Sequence, residues 1–251
     1  MAKHKINLKK ISTLPPDSVS EAHARKKCEE WTIKLADIQQ RLFAQRQFSV
    51  LVIIQGMDAS GKDGAVKNVF SGLNPAGCRV KSFKKPTEEE DAHDFLWRIH
   101  RECPEQGMIQ IFNRSHYEDI LVPSVHQLAD SEALLFRLKA IHHFEELLVR
   151  SNTIVLKFYL HVSESEQKKR IDERKTDPHK RWKYQEADII ETRHRDRYME
   201  VYNDLLNNPG VVPWNVVPAD KNWYKNYIIL KTILDTLSLY SIHYPQIEIE
   251  D

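Results

Sequence analysis

The 251-residue chain has only seven glycines and three cysteines, almost no net charge, and no long hydrophobic run. Each scarcity excludes something. Cys28, Cys78 and Cys103 are odd in number and widely spaced, which argues against a disulfide framework and fits a reducing compartment. No stretch approaches the roughly 20 apolar residues of a membrane span. The Lys-rich start lacks the apolar centre of a signal peptide. A soluble, cytoplasmic protein is therefore expected. Lys and Arg total 37 against 36 Asp and Glu, so there is no global nucleic-acid signature and any basic patch must be local. Apolar residues still make up 41%, enough for one large domain with a real core.

Glycine is scarce, so its placement is informative. Three of the seven lie in Gly-Met-Asp-Ala-Ser-Gly-Lys-Asp-Gly (56–64), directly after the apolar run 48–54. Gly56, Gly61 and Lys62 satisfy the G-x-x-x-x-G-K spacing of a phosphate-binding loop. The flanks agree, with a buried strand before the loop and an amphipathic stretch, 65–70, after it. Such a loop turns backbone N–H groups onto phosphate, and the helix N-terminus adds positive potential. Asp63 stands where Ser or Thr normally ligates magnesium. Asp58, inside the loop, is the candidate carboxylate in its place.

Strand and helix signals alternate along the chain. Residues 1–17 read as a basic arm closed by Pro15-Pro16. A long outer helix is expected over about 18–46. Strands are expected at 48–54, 78–83, 108–112, 153–160 and 214–217. Thr87 with Glu90 predicts a capping box opening a helix through about 101. Further helices are expected at about 131–150, after Ser163, and at 222–239. This alternation is the pattern of an α/β fold with a central parallel sheet. The charge-dense stretch 172–185, with Pro178 and little to bury, is the expected mobile segment.

Other residues cluster where ligands meet such folds. Asn113, Arg114, Glu118 and Asp119 follow the third strand, at the edge that faces the ligand crevice. A polar connection capping the next helix is the alternative reading. Arg114 offers a forked donor set for phosphate oxygens. Lys84-Lys85 follow the second strand and could hold an anion, or form a solvated turn. Arg170 and Arg174 share a helix face within a basic cluster that continues to Lys183, with Arg193, Arg195 and Arg197 beyond. A basic helix leading into a mobile segment suggests a nucleotide-kinase lid, which would exclude water. The twelve histidines show no zinc spacing and are assigned to surface and packing.

The assembled motifs closely resemble the polyphosphate kinase 2 family. The matching segments are residues 56–64, Gly-Leu-Asn-Pro-Ala-Gly (72–77), Phe-Lys-Lys-Pro-Thr (83–87), His-Asp-Phe-Leu-Trp-Arg (93–98), Phe-Asn-Arg-Ser-His-Tyr-Glu-Asp (112–119) and Pro-Trp-Asn-Val-Val-Pro-Ala-Asp (213–220). The resemblance implies a P-loop kinase fold, thymidylate-kinase-like, with a five-stranded parallel sheet and a basic lid at about 170–185 in a single domain over 18–251. It implies Mg2+-dependent, reversible transfer of the terminal phosphoryl of inorganic polyphosphate to nucleoside diphosphates, with monophosphates as further acceptors suggested by the Asn-Arg-Ser-His-Tyr-Glu version of the motif. Asp58 would bind magnesium, with Glu118 in support, and Lys62 and Arg114 would contact phosphates. Lys84, Lys85, Arg170 and Arg174 would grip the polyphosphate chain. Gly56, Ala59, Ser60, Gly61, Asp63, Lys67 and Asn113 complete the expected binding set. A homo-oligomer, dimer or tetramer, without nucleic-acid or membrane partners is expected. The competing readings are an ATP-dependent nucleotide kinase and a non-catalytic polyphosphate- or nucleotide-binding module.

Overall fold

The structure is a computed structural model that describes residues 5–184 and 190–246. Five strands form one sheet: β1 (Ser49–Gly56), β2 (Cys78–Ser82), β3 (Ile109–Asn113), β4 (Thr153–His161) and β5 (Trp214–Pro218). Their order is β2-β3-β1-β4-β5, and every pairing is parallel. β1 is wholly buried, as its unbroken apolar run requires of a strand covered on both faces. Leu51 and Ile53 enter one core with Phe112, Ile141, Phe144 and Tyr159. Val50, Val52 and Ile54 enter the other with Leu35, Leu42, Ile111 and Ile229. This two-residue alternation divides the core into two layers.

The helices are α1 (Glu21–Gln45), α2 (Lys62–Phe70), α3 (Glu88–Asp91), α4 (Trp97–His100), α5 (Glu118–Val125), α6 (Ser131–Arg150), α7 (Glu164–Thr176), α8 (Arg195–Asn207) and α9 (Asn222–Leu237). α1 packs along α9 on the outside of the sheet. Register brings every strand's carboxyl end to one edge: Ile54 pairs with Asn113, Ser82 with Asn113, Gly56 with Leu160, and His161 with Pro218. The loops leaving β1 and β3 therefore emerge side by side.

Three expectations need revision. The Thr87–Glu90 capping box exists, with reciprocal bonds of 3.0 and 3.2 Å, but its helix ends at Asp91. Asp94 then accepts from the Leu96 N–H at 3.0 Å, forming a side-chain turn that restarts the chain as α4. In the stretch expected to be irregular, α7 continues to Thr176 and a 3-10 turn covers Arg181–Lys183. The end of that stretch, at 185, lies outside the described residues. Two of its cations pair with nearby carboxylates, Lys175 with Asp172 at 3.3 Å and Lys180 with Glu173 at 2.7 Å. Lastly, Arg195 and Arg197 open α8, whose other face buries Met199, Val201, Tyr202, Leu205 and Leu206. A reading centred on charge overlooked this amphipathic helix.

The N-terminal segment is fastened to the domain. Leu8 is buried in the core. Asn207 and Asn203 of α8 accept from the Ile6 and Leu8 N–H groups, at 2.8 and 2.9 Å. Thr13 donates to Asp220 at 2.8 Å, just past β5.

Candidate active site

The loop 56–61 turns sharply between β1 and α2. Gly56 lies where a Cβ would meet the Leu160 carbonyl at 2.9 Å, and Gly61 has φ +96°. Both positions favour glycine. Ala59 and Arg114 adopt left-handed backbone at φ 60° and 64° without being glycine. Such conformations cost about 1–3 kcal/mol and persist only where surroundings impose them. For Arg114 the surroundings are visible: its N–H donates to the Ile54 carbonyl at 3.0 Å, locking the β3 exit to β1.

Arg114 thereby reaches two carboxylates. It donates to Asp58 at 2.6 Å and to Glu118 at 3.3 Å. Burial opposes its charge, but Glu118 and Asp58 outweigh that and raise its pKa. Lys62 lies 3.9 Å from Asp58 and donates to the Gly56 and Met57 carbonyls at 2.7 and 3.1 Å. Burial, then the neighbouring Arg114 charge, lowers the Lys62 ammonium to about 8. Asp58, Lys62, Arg114 and Glu118, predicted from separate motifs, thus form one constellation. Asn113 donates to Asp63 at 2.8 Å across the two loops. Asp119, by contrast, turns away and pairs with buried Arg98 at 3.2 Å.

The remaining predicted residues fall into three groups. Ser60, within the loop, is fully buried. Lys67, Lys84 and Lys85 are exposed and make no hydrogen bond or ion pair to the loop among the described residues. Arg170 differs from a free lid arginine. Its guanidinium donates to the Ala59, Ser60, Ala219 and Asp220 carbonyls and to Glu166. Arg174 sits one turn further along α7, half-buried.

Several neighbours escaped the sequence reading, although Arg195 was noted there for its charge alone. Asp58, Arg114 and Glu118 line a cleft whose far wall is Gln167, Glu191, Arg195, Tyr198 and Tyr202. Arg195 donates to Gln167 and, at 2.7 Å, to the Val162 carbonyl. Gln167 shares the α7 face of Arg170 and Arg174 at spacings of three and seven, a signal that was available. Behind the Arg114 loop, Lys157 and Glu145 form a fully buried ion pair at 2.7 Å. Tyr117 donates to Glu145 at 2.8 Å, and His116 lies 3.3 Å from it. Burial lowers the His116 pKa despite Glu145. This network fixes the segment between Arg114 and Glu118 to α6 and β4.

The site offers hard oxygen donors. Among the described residues no group of three or more His, Cys, Asp or Glu could hold a metal alone. Magnesium binds through one or two carboxylates with the balance from water and phosphate oxygens, so Asp58 fits it in that company.

Comparison with known proteins agrees with this geometry. The family model of polyphosphate kinase 2 (PPK2) matches residues 18–244. An AMP/ADP-polyphosphate phosphotransferase of Meiothermus ruber is 44% identical over 86% of this chain and 81% of that protein. An ADP-polyphosphate phosphotransferase of Rhodopseudomonas palustris is 38% identical over 96% of this chain and 89% of its own length. A crystal structure of polyphosphate kinase 2 from Arthrobacter aurescens superposes with a TM-score of 0.94 at 34% identity, covering all of this chain and 91% of that one. A matched span that includes the phosphate loop, the Arg114 loop and all five strands leaves one assignment: the chain belongs to the polyphosphate kinase 2 family.

Proposed function

We propose that this protein transfers the terminal phosphoryl group of inorganic polyphosphate to ADP and to AMP. The observation that carries the reading is the convergence of Lys62, Arg114, Asp58 and Glu118 at the carboxyl edge of the sheet. The names of the Meiothermus and Rhodopseudomonas relatives support the donor and the acceptors.

A terminal phosphate oxygen of the nucleotide attacks the end phosphorus of polyphosphate. The bond from that phosphorus to its bridging oxygen breaks, and the shortened chain leaves with the electron pair. Little covalent chemistry falls to the protein, so positioning and charge neutralisation dominate. Lys62 and Arg114 face the transferring oxygens. Asp58 holds both cations in the free enzyme and is the residue that would hold magnesium, with Glu118 retaining Arg114. Bound magnesium would neutralise and orient phosphate oxygens. Lys84, Lys85, Lys67 and Arg174 provide cationic surface for the chain beyond the reacting end. One anhydride replaces another, so the reaction runs in both directions. The protein works as a single domain in the cytoplasm, as a homo-oligomer. Among the described residues no helix is long and apolar enough to cross a membrane.

The test is an acceptor panel of nucleoside mono- and diphosphates with polyphosphate and Mg2+, resolved by chromatography over time. ATP from ADP, and ADP then ATP from AMP, are expected. Transfer to ADP alone would remove the monophosphate claim. Transfer from ATP but never from polyphosphate would replace the reading with an ordinary nucleotide kinase.

A further inference from the structure

Every carbonyl of the loop from 56 to 61 has a hydrogen-bond donor. Lys62 serves Gly56 and Met57. Gln167 of α7 serves Asp58 at 2.9 Å. Arg170 of α7 serves Ala59 at 3.2 Å and Ser60 at 2.9 Å. Lys225 of α9 serves Gly61 at 3.0 Å, on the same oxygen that accepts the Ala65 N–H of α2 at 3.0 Å. A planar trans peptide points its N–H opposite its carbonyl. Gripping the carbonyls from behind therefore aims the following N–H groups outward. The backbone N–H groups of Gly61, Lys62 and Gly64 have no acceptor within the protein among the described residues. They form the face that an anion meets at a helix N-terminus.

Lys225 is the least expected member of this cradle. It is 1% exposed, yet it has no carboxylate ion pair among the described residues. Among the described residues its ammonium bonds only the Gly61 carbonyl and the Asn222 side chain, the latter at 2.8 Å. An unpaired buried ammonium is costly, and an apolar side chain would fill the space more cheaply. The fold alone gives no reason for a lysine here. The charged groups facing it are Arg170 from α7 and Asp63 from α2, beside the Asn222 amide of its own helix. Burial, then Arg170, lowers its pKa to about 7, while Asp63 opposes the shift. Negative charge arriving on the loop favours the protonated form.

We propose that Lys225 is a positioning residue for phosphoryl transfer: anchored by Asn222, it holds the Gly61 carbonyl from behind and aims the Lys62 N–H at the phosphate. The proposal rests on reading 56–64 as the phosphate site. A donor aimed at developing charge contributes to the rate when it is fixed before the reaction begins.

The test uses the full chain with Lys225→Met, Asn222→Ala and, as a control on the exposed face of α9, Lys231→Met. Melting temperature, kcat and KM for polyphosphate and ADP are measured, with calorimetric binding of magnesium tripolyphosphate at pH 7.5 in two buffers of different ionisation enthalpy. Folded Lys225→Met is expected to lose at least tenfold in kcat and fivefold in tripolyphosphate affinity, and to take up fewer protons on binding than wild type. Asn222→Ala should lose about threefold in kcat, and Lys231→Met should stay within twofold. A folded Lys225→Met with kcat within twofold of wild type, or with unchanged proton uptake, overturns the proposal. If Lys225→Met does not fold, an unchanged kcat in Asn222→Ala overturns it. If wild type moves no phosphate from polyphosphate, the functional reading fails instead. Tripolyphosphate affinity then decides on Lys225, with a fivefold loss supporting the proposal and an unchanged value overturning it.

Discussion

In the proposed role Lys62 acts through its charge on phosphate oxygens, and burial lowers its pKa to about 8. As pH rises through that value the free enzyme loses the charge, so kcat/KM should fall above pH 8. Lys62→Arg stays charged throughout the range and should remove this alkaline limb at a lower rate, because a guanidinium does not fit the lysine's two carbonyl bonds. A wild-type profile flat to pH 10 would contradict the role. Lys62→Ala should reduce kcat by a hundredfold or more, on the order of 3 kcal/mol of transition-state stabilisation. Asp58→Asn has a different signature. It frees Arg114 and weakens the hold on metal, so the magnesium concentration for half-maximal rate should rise about tenfold at an unchanged melting temperature. An unaltered magnesium titration would move the metal site elsewhere.

Between elements, the buried Lys157–Glu145 pair joins β4 to α6 and, through Tyr117, to the Arg114 loop. Removing one partner strands a buried charge, so Glu145→Leu should cost about 3–5 kcal/mol in denaturant unfolding. Combining it with Lys157→Met should recover much of that loss. Equal instability of single and double variants would show that packing, not charge, dominates there. The same pair marks the limit of what the sequence reveals. β1 and β4 were legible because a strand buried on both faces has an unbroken apolar run. The loop was legible because glycine is rare in this chain and clusters there. The break between α3 and α4 was not, because it depends on one Asp94 side chain accepting from the Leu96 N–H two residues on. α8 was hidden because Arg193, Arg195 and Arg197 drew attention from the apolar positions 199, 201, 202, 205 and 206. Lys157 and Lys225 look like surface lysines in sequence, and only three-dimensional packing shows them buried. Arg170 was found for its charge, but its orientation toward four carbonyls was not readable from spacing.

At the scale of the molecule, the N-terminal segment belongs to the folded body. Leu8→Ala should destabilise the whole domain by about 2–5 kcal/mol, a single cooperative shift in urea unfolding. A shift below about 0.5 kcal/mol would make the segment an appendage. The chain as a whole is nearly neutral, so attraction for a long polyanion must come from local cations and be screened by salt. KM for polyphosphate should therefore rise more steeply with ionic strength than KM for ADP, measured between 20 and 300 mM salt as roughly a Debye-length effect. The loop's fully engaged carbonyls carry one more consequence, for the order in which substrates arrive. A lone cation reaching this backbone finds each loop carbonyl already bonded, and the two carboxylates beside it, Asp58 and Glu118, already held by Arg114. The metal should come aboard as cargo of the phosphate, so that magnesium titrated alone gives no calorimetric heat and the same titration with tripolyphosphate does.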